Sequence, residues 1–137
     1  MGTVDEIIAS VLKEAKTIAV VGLSPNETRA SNRVAQYLLA RGYTIIPVNP
    51  GQTEILGQKC FSSLLDITIP VDIVDIFMRS EKLLPVVEEA VRIQPKCIWL
   101  QLGIVNEDAK KLSQTNDIFF VQDRCVKIEH ARLAVTP

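Results

Sequence analysis

Between Gly22 and Arg33 the chain reads GLSPNETRASNR, a stretch whose side chains suit an anion. Arg29 and Arg33 offer planar guanidinium forks that match phosphate oxygens, and Ser24 and Ser31 add hydroxyl donors. Gly22 allows a tight exit from the apolar run before it. The competing reading is a solvated loop with two surface arginines and an ordinary serine cap. Elsewhere, polar groups that could meet a ligand stand at the ends of other apolar runs: Asn49, Arg79 and Gln101. Arg79 serves either a ligand or a surface ion pair, and Asn49 is a turn former in any case. Gln101 has no evident duty in a buried strand, where an amide needs partners. Asp75 is expected to be buried and structural.

Covalent chemistry has little to work with. His130 is the only histidine, and Cys60, Cys97 and Cys125 are far apart, with no CxxC pair. Cys125 and His130, five residues apart, fall on different sides of a helix, so a Cys–His nucleophile pair is not expected. Convergent metal ligands are not expected either. Cys125 is read as an inert packing residue, with a mixed disulfide to a bound thiol as the alternative.

The elements that must position these residues alternate. Residues 4–15 carry an amphipathic helical stripe, and Thr17–Gly22 is a continuous β-branched run of the kind buried on both faces of a parallel sheet. A helix is expected over Ser31–Arg41 with Ser31 at the N-cap, then a strand over Tyr43–Val48 that ends or bends at Pro47. Lys59–Phe61 reads as a brief edge strand and Val71–Phe77 as a full one. A helix over about 81–93 should gain regular turns near Pro85. Cys97–Gln101 is a strand, Asn106–Gln114 a capped helix, Ile118–Val121 a last strand and 125–134 a terminal helix. Strands alternating with helices predict a single α/β domain over residues 1–137. Its architecture is a doubly wound, mainly parallel sheet in a three-layer α/β/α sandwich. In such sheets ligands sit beyond the carboxyl ends of the strands. That rule selects the segments after Gly22, Val48, Phe77 and Gln101.

The first loop lacks the dinucleotide fingerprint: Ser24 stands at the second glycine of G-x-G-x-x-G and Glu27 at the third. The second strand ends in Val48-Asn49-Pro50, without the acid that holds the ribose hydroxyls of NAD. An NAD(P)-linked redox regulator is disfavoured on both counts.

In order, the chain carries VVGLSP (20–25), PVNP (47–50), VDIVDIFMR (71–79), WLQLG (99–103) and DRCVKIEH (123–130). This series resembles the stand-alone CoA-binding proteins, which are similar to the CoA-binding N-terminal domain of the succinyl-CoA synthetase α subunit. The resemblance runs from about residue 16 to 133. It implies a Rossmann-like domain holding coenzyme A, or an acyl-CoA, across the strand ends without catalysis of its own. On matching positions, the loop with Gly22, Leu23, Ser24, Arg29, Ser31 and Arg33 would hold the phosphates. Asn49, Pro50 and Gly51 would line the nucleotide side. Phe77, Met78 and Arg79 would wall the adenine or the start of the pantetheine arm, though Phe77 could equally be core. Gln101, Leu102 and Gly103 would lie further along that arm. The family often has a basic residue shortly after PVNP, where this chain has Gly51-Gln52. The alternative is a CoA-handling subunit of an acyl-CoA ligase with a partner chain. The parent enzyme's phosphate-accepting histidine has no counterpart in this arrangement.

Composition agrees with a soluble globular domain. Of the 137 residues, 47% are apolar, 23% charged and 5% aromatic. The net charge of −1 comes without a basic run, which argues against nucleic acid as partner. Val4, Asp5 and Glu6 open on acid where a secretory signal would be positive, and no stretch approaches a membrane span. A cytoplasmic location is expected, with no membrane partner. A homodimer or another protein partner stays open.

Overall fold

The computed structural model describes residues 2–133; Met1 and residues 134–137, including the last residue of the expected terminal helix, lie outside the described residues. Five parallel strands form the sheet: β1 (Thr17–Val21), β2 (Thr44–Val48), β5 (Ile73–Ile76), β6 (Cys97–Leu100) and β7 (Phe119–Val121), in the order β2-β1-β5-β6-β7. A two-stranded antiparallel hairpin, β3 (Glu54–Ile55) with β4 (Gln58–Lys59), stands apart. The helices are α1 (Val4–Glu14), α2 (Ala30–Ala40), α3 (Leu84–Ile93), α4 (Glu107–Thr115) and α5 (Val126–Arg132).

Alternate strand residues serve opposite layers. Ile18, Val20, Ile73 and Trp99 pack with Ile8 and Leu12 of α1, Leu38 of α2 and Val126 of α5. Ala19, Val21, Val74 and Leu100 pack with Val87 and Ala90 of α3 and Ala109 of α4. Both faces of each central strand are thus covered, which is why the sequence shows continuous apolar runs rather than alternation. The result is the expected doubly wound, Rossmann-like α/β/α arrangement. The connection from β1 covers one face and that from β5 the other, so the crevice opens between these two strands at their carboxyl ends. Among the described residues no helix is long and apolar enough to cross a membrane.

Three local expectations differ from the structure. Arg29, not Ser31, is the N-cap of α2, with extended backbone and no side-chain cap bond. Ser31 lies inside the first turn because its Oγ accepts the Ser24 amide at 3.0 Å, a stronger call on the hydroxyl than a helix cap. Strand β2 continues past Pro47 to Val48, since β2 flanks the sheet and the missing N–H faces no partner strand. The expected strand at Lys59–Phe61 is split: Gln58–Lys59 belongs to the hairpin, and Phe61 bridges to Val48 in parallel sense. Phe61 N donates to Pro47 O and Phe61 O accepts from Asn49 N, which extends the sheet edge toward the crevice.

Local chemistry sets the other ends. Thr3 and Glu6 form a capping box at α1. Pro85 occupies the first turn of α3, where no amide bond is lost. Asp72 Oδ2 accepts from the Lys16 and Thr17 amides at 2.8 and 3.0 Å, tying the start of β1 to the approach to β5.

Candidate functional site

The crevice is organised around Gly22. Its amide donates to Val48 O at 2.9 Å, and Phe77 N donates to Val21 O at 2.9 Å, so the three strand ends are stitched together. Gly22 has φ +81°, and a Cβ there would stand 2.2 Å from Phe77 O. Only glycine allows this approach.

On one flank of Gly22 lies an open cavity of about 390 Å³ lined by Ser24, Thr28, Arg29, Ala30, Ser31 and Phe77. Its rim is backbone held by side chains. Asn26 N donates to Ser24 Oγ, and Thr28 N and Oγ1 both donate to Asn26 Oδ1. The buried Asn32 donates from Nδ2 to Ser24 O at 2.8 Å. Leu23 is fully buried in the core under α2, which anchors the loop from below. The first-turn amides of α2 and the positive end of its dipole stand at this cavity. Arg29 and Arg33 are exposed, four residues apart on one side of α2, and neither forms an ion pair among the described residues. This flank can hold an anion of phosphate type.

On the other flank a second cavity of about 300 Å³ is more enclosed. Val21, Val48, Pro50, Leu64, Met78 and Val86 supply apolar walls, with Asn49, Ser62, Ser63 and Glu89 as polar groups. Asn49 bridges two loops: its Nδ2 donates to Leu23 O at 3.0 Å and its Oδ1 accepts the Gly51 amide at 2.9 Å. Ser63 Oγ accepts from Leu65 N and donates to Glu89 Oε1 at 2.9 Å. The apolar walls fit a flat or aliphatic ligand portion.

Of the residues singled out from the sequence, Gly22, Ser24, Arg29, Ser31 and Phe77 meet on the first flank and Gly22, Asn49, Pro50 and Met78 on the second. Leu23 contributes its backbone carbonyl, and Gly51 sits exposed beside Asn49. Arg33 lies one helical turn beyond the first cavity. Arg79 caps a short 3₁₀ turn at Ser80–Lys82 and is exposed. Leu102 is 64% exposed, and Gly103 donates its amide to Asp123 Oδ1 at 2.7 Å; both stand just past the end of β6, and neither lines either cavity. Gln101 is buried and donates from Nε2 to Asp75 Oδ1. Among the described residues Asp75 Oδ2 has no partner, and burial raises the Asp75 carboxyl to about 7 despite the Gln101 bond. The pair is thus one structural unit beneath the crevice, which answers the question of what partners the Gln101 amide.

Sequence reasoning missed Thr28, Ala30, Ser62, Ser63, Leu64, Val86 and Glu89 as lining residues. Ser63-Leu64-Leu65-Asp66 had a usable signal, since a serine three residues before an acid marks a capped turn. Val86 and Glu89 had none: they flank the buried stripe of α3.

Three titratable groups away from the crevice, His130, Cys97 and Cys125, are engaged in packing. His130 Nδ1 lies 2.8 Å from Tyr37 Oη, its ring stacks edge-on against Tyr37 and Tyr43, and burial holds it below the usual imidazole range. Cys97 is buried and its thiol is pushed up, by burial first and the Asp75 charge second. Cys125 is half-buried at the N-cap of α5. Among the described residues no three His, Cys, Asp or Glu side chains converge as metal ligands.

Comparison with known proteins agrees with this geometry. The family described as "CoA binding domain" matches residues 16–131. The chain is 43% identical over 124 residues to the uncharacterized protein YneT of Bacillus subtilis (strain 168), covering 90% of this chain and 92% of that protein. It is 36% identical over 77 residues to the ADP-forming acetate–CoA ligase I of Archaeoglobus fulgidus, covering 56% of this chain but 11% of that enzyme. A hypothetical protein from Pyrococcus horikoshii OT3 superposes with a TM-score of 0.93 at 39% identity, over 97% of this chain and 94% of that one. With a match that spans nearly every element of the sheet and both flanks of Gly22, the chain belongs to the CoA-binding domain family.

Proposed function

We propose that the protein binds coenzyme A, or an acyl-CoA, across the carboxyl ends of β1, β2 and β5, and catalyses nothing by itself. The observation that carries this reading is the meeting of two unlike cavities at Gly22, one suited to anionic oxygens and one apolar. A ligand with a pyrophosphate joined to a base and a long neutral arm needs both. In this reading Ser24, Arg29, Ser31 and the first amides of α2 hold phosphate oxygens, with Arg33 adding charge from the next turn. Asn49, Pro50, Gly51 and Met78 border the nucleoside, Phe77 floors the junction, and Arg79 stands outside it. Leu102 and Gly103 flank the pantetheine arm as it leaves, with Gln101 buried beneath them. The protein then acts in the cytoplasm as a holder, sensor or carrier, where its free cysteines stay reduced.

Calorimetry with CoA, dephospho-CoA and NAD tests the reading. CoA should bind most tightly and NAD most weakly; equal or absent binding of all three overturns it. The match to a segment of an acetate–CoA ligase favours a second reading, in which the chain presents CoA to a separate catalytic partner. Co-purification of a stoichiometric partner that produces acyl-CoA only with this chain would select it.

A further inference from the structure

The apolar cavity beside Gly22 is lined by one charged side chain, that of the half-buried Glu89. Asn49 has spent its amide on Leu23 O and the Gly51 N–H, and Ser63 has spent its hydroxyl on Leu65 N and Glu89. Glu89 keeps Oε1 on Ser63, while no partner meets Oε2 and the carboxylate joins no ion pair among the described residues. Around it stand Val21, Val48, Leu64, Met78 and Val86. An anion placed here would meet a like charge in an apolar setting, and a purely hydrocarbon group would leave the carboxylate oxygen dry. The cavity therefore asks for a neutral, flat group that donates a hydrogen bond.

We propose that Glu89 is a specificity-determining residue that reads an exocyclic amino group on the base of the bound nucleotide, accepting its N–H at Oε2. This rests on the CoA reading, in which the base enters the apolar flank while the phosphates occupy the Arg29 flank. Glu89 thereby also sets the direction of the ligand, because it excludes phosphate from the cavity that Arg29 does not serve. Ser63 is its positioning residue, fixing the carboxylate through Oε1.

The test compares ADP with purine riboside 5′-diphosphate, which lacks only the 6-amino group, with CoA titrated in parallel. Wild-type protein should prefer ADP by about tenfold or more, as sites built to bond a ligand N–H reject the analogue lacking it. Glu89→Met should erase the preference by removing the cavity's one carboxylate acceptor. Glu89→Gln, whose amide oxygen still accepts, should keep part of it and shows that the effect follows the acceptor rather than the packing. Equal binding of the two diphosphates to wild type, or an undiminished preference in Glu89→Met, overturns the role of Glu89. A clear ADP preference without CoA binding would overturn the CoA reading and leave Glu89 standing, and no binding of any of the three would overturn both.

Discussion

The two flanks of Gly22 are built by opposite means. Toward α2 the wall is largely main chain, held in place by side chains: Ser31, Asn32 and Asn26 each give a polar atom to the loop. Toward α3 the wall is mostly aliphatic side chain, with Asn49, two serines and a serine-held carboxylate among it. A backbone wall offers fixed dipoles and amides and suits charge, whichever anion arrives. A side-chain wall offers shape and one acceptor, and suits discrimination. Affinity and selectivity are thus assigned to different sides of one glycine.

The largest expected effect comes from breaking both flanks at once. Gly22→Ala places a methyl against Phe77 O at a backbone conformation that penalises any side chain. Destabilisation of about 3 kcal/mol or more is expected in urea titration, with loss of ligand binding in whatever remains folded. Asn49→Ala comes next, because this residue ties the two loops together. Loss of its two bonds should cost about 1–2 kcal/mol and weaken both the phosphate-bearing and the base-bearing parts of the ligand alike.

A third effect lies beneath the crevice. Asp75 is fully buried with a carboxyl raised to about 7, well above the unfolded value near 3.9. Between those values the folded state holds a proton that the unfolded state has lost, so stability falls as pH rises from about 4 to about 7. Asp75→Asn should flatten that slope while keeping the Gln101 neighbour supplied with an acceptor; a slope unchanged in the variant assigns the titration elsewhere. His130 works in the other direction: lowered in the folded state, it withdraws stability as pH falls below its unfolded value near 6.5. The smallest effect sharpens the contrast between the flanks. Raising ionic strength from about 0.01 to about 0.15 M shortens the screening length from about 30 to about 8 Å. That change should weaken the Arg29-dependent part of binding and leave the ADP preference set at Glu89 nearly unmoved.

Much of this was legible in the chain itself. Continuous runs such as Ile18–Val21 and Ile73–Ile76 announced strands covered on both faces, and the glycine ending the first run located the crevice. The α2 flank could be read because all its lining residues but Phe77 fall within the contiguous segment Gly22–Arg33. The α3 flank could not, since it assembles Val48, Ser63, Met78 and Glu89 from four separate segments. Nothing in the sequence marks Glu89, and only packing of α3 against the 3₁₀ turn at Leu64–Asp66 brings it to the cavity. Ser31 was misassigned as a cap because sequence spacing cannot tell which of two nearby amides will claim a hydroxyl.

The central claim, that the cradle behind β1 holds negatively charged oxygens, is tested most directly by titrating CoA into the Arg29→Ala, Arg33→Ala double variant. Circular dichroism should report an unchanged fold, and calorimetry should report affinity lowered by about tenfold or more, as charge-assisted bonds to phosphate are lost. A folded double variant that binds CoA as tightly as the parent protein would contradict the account.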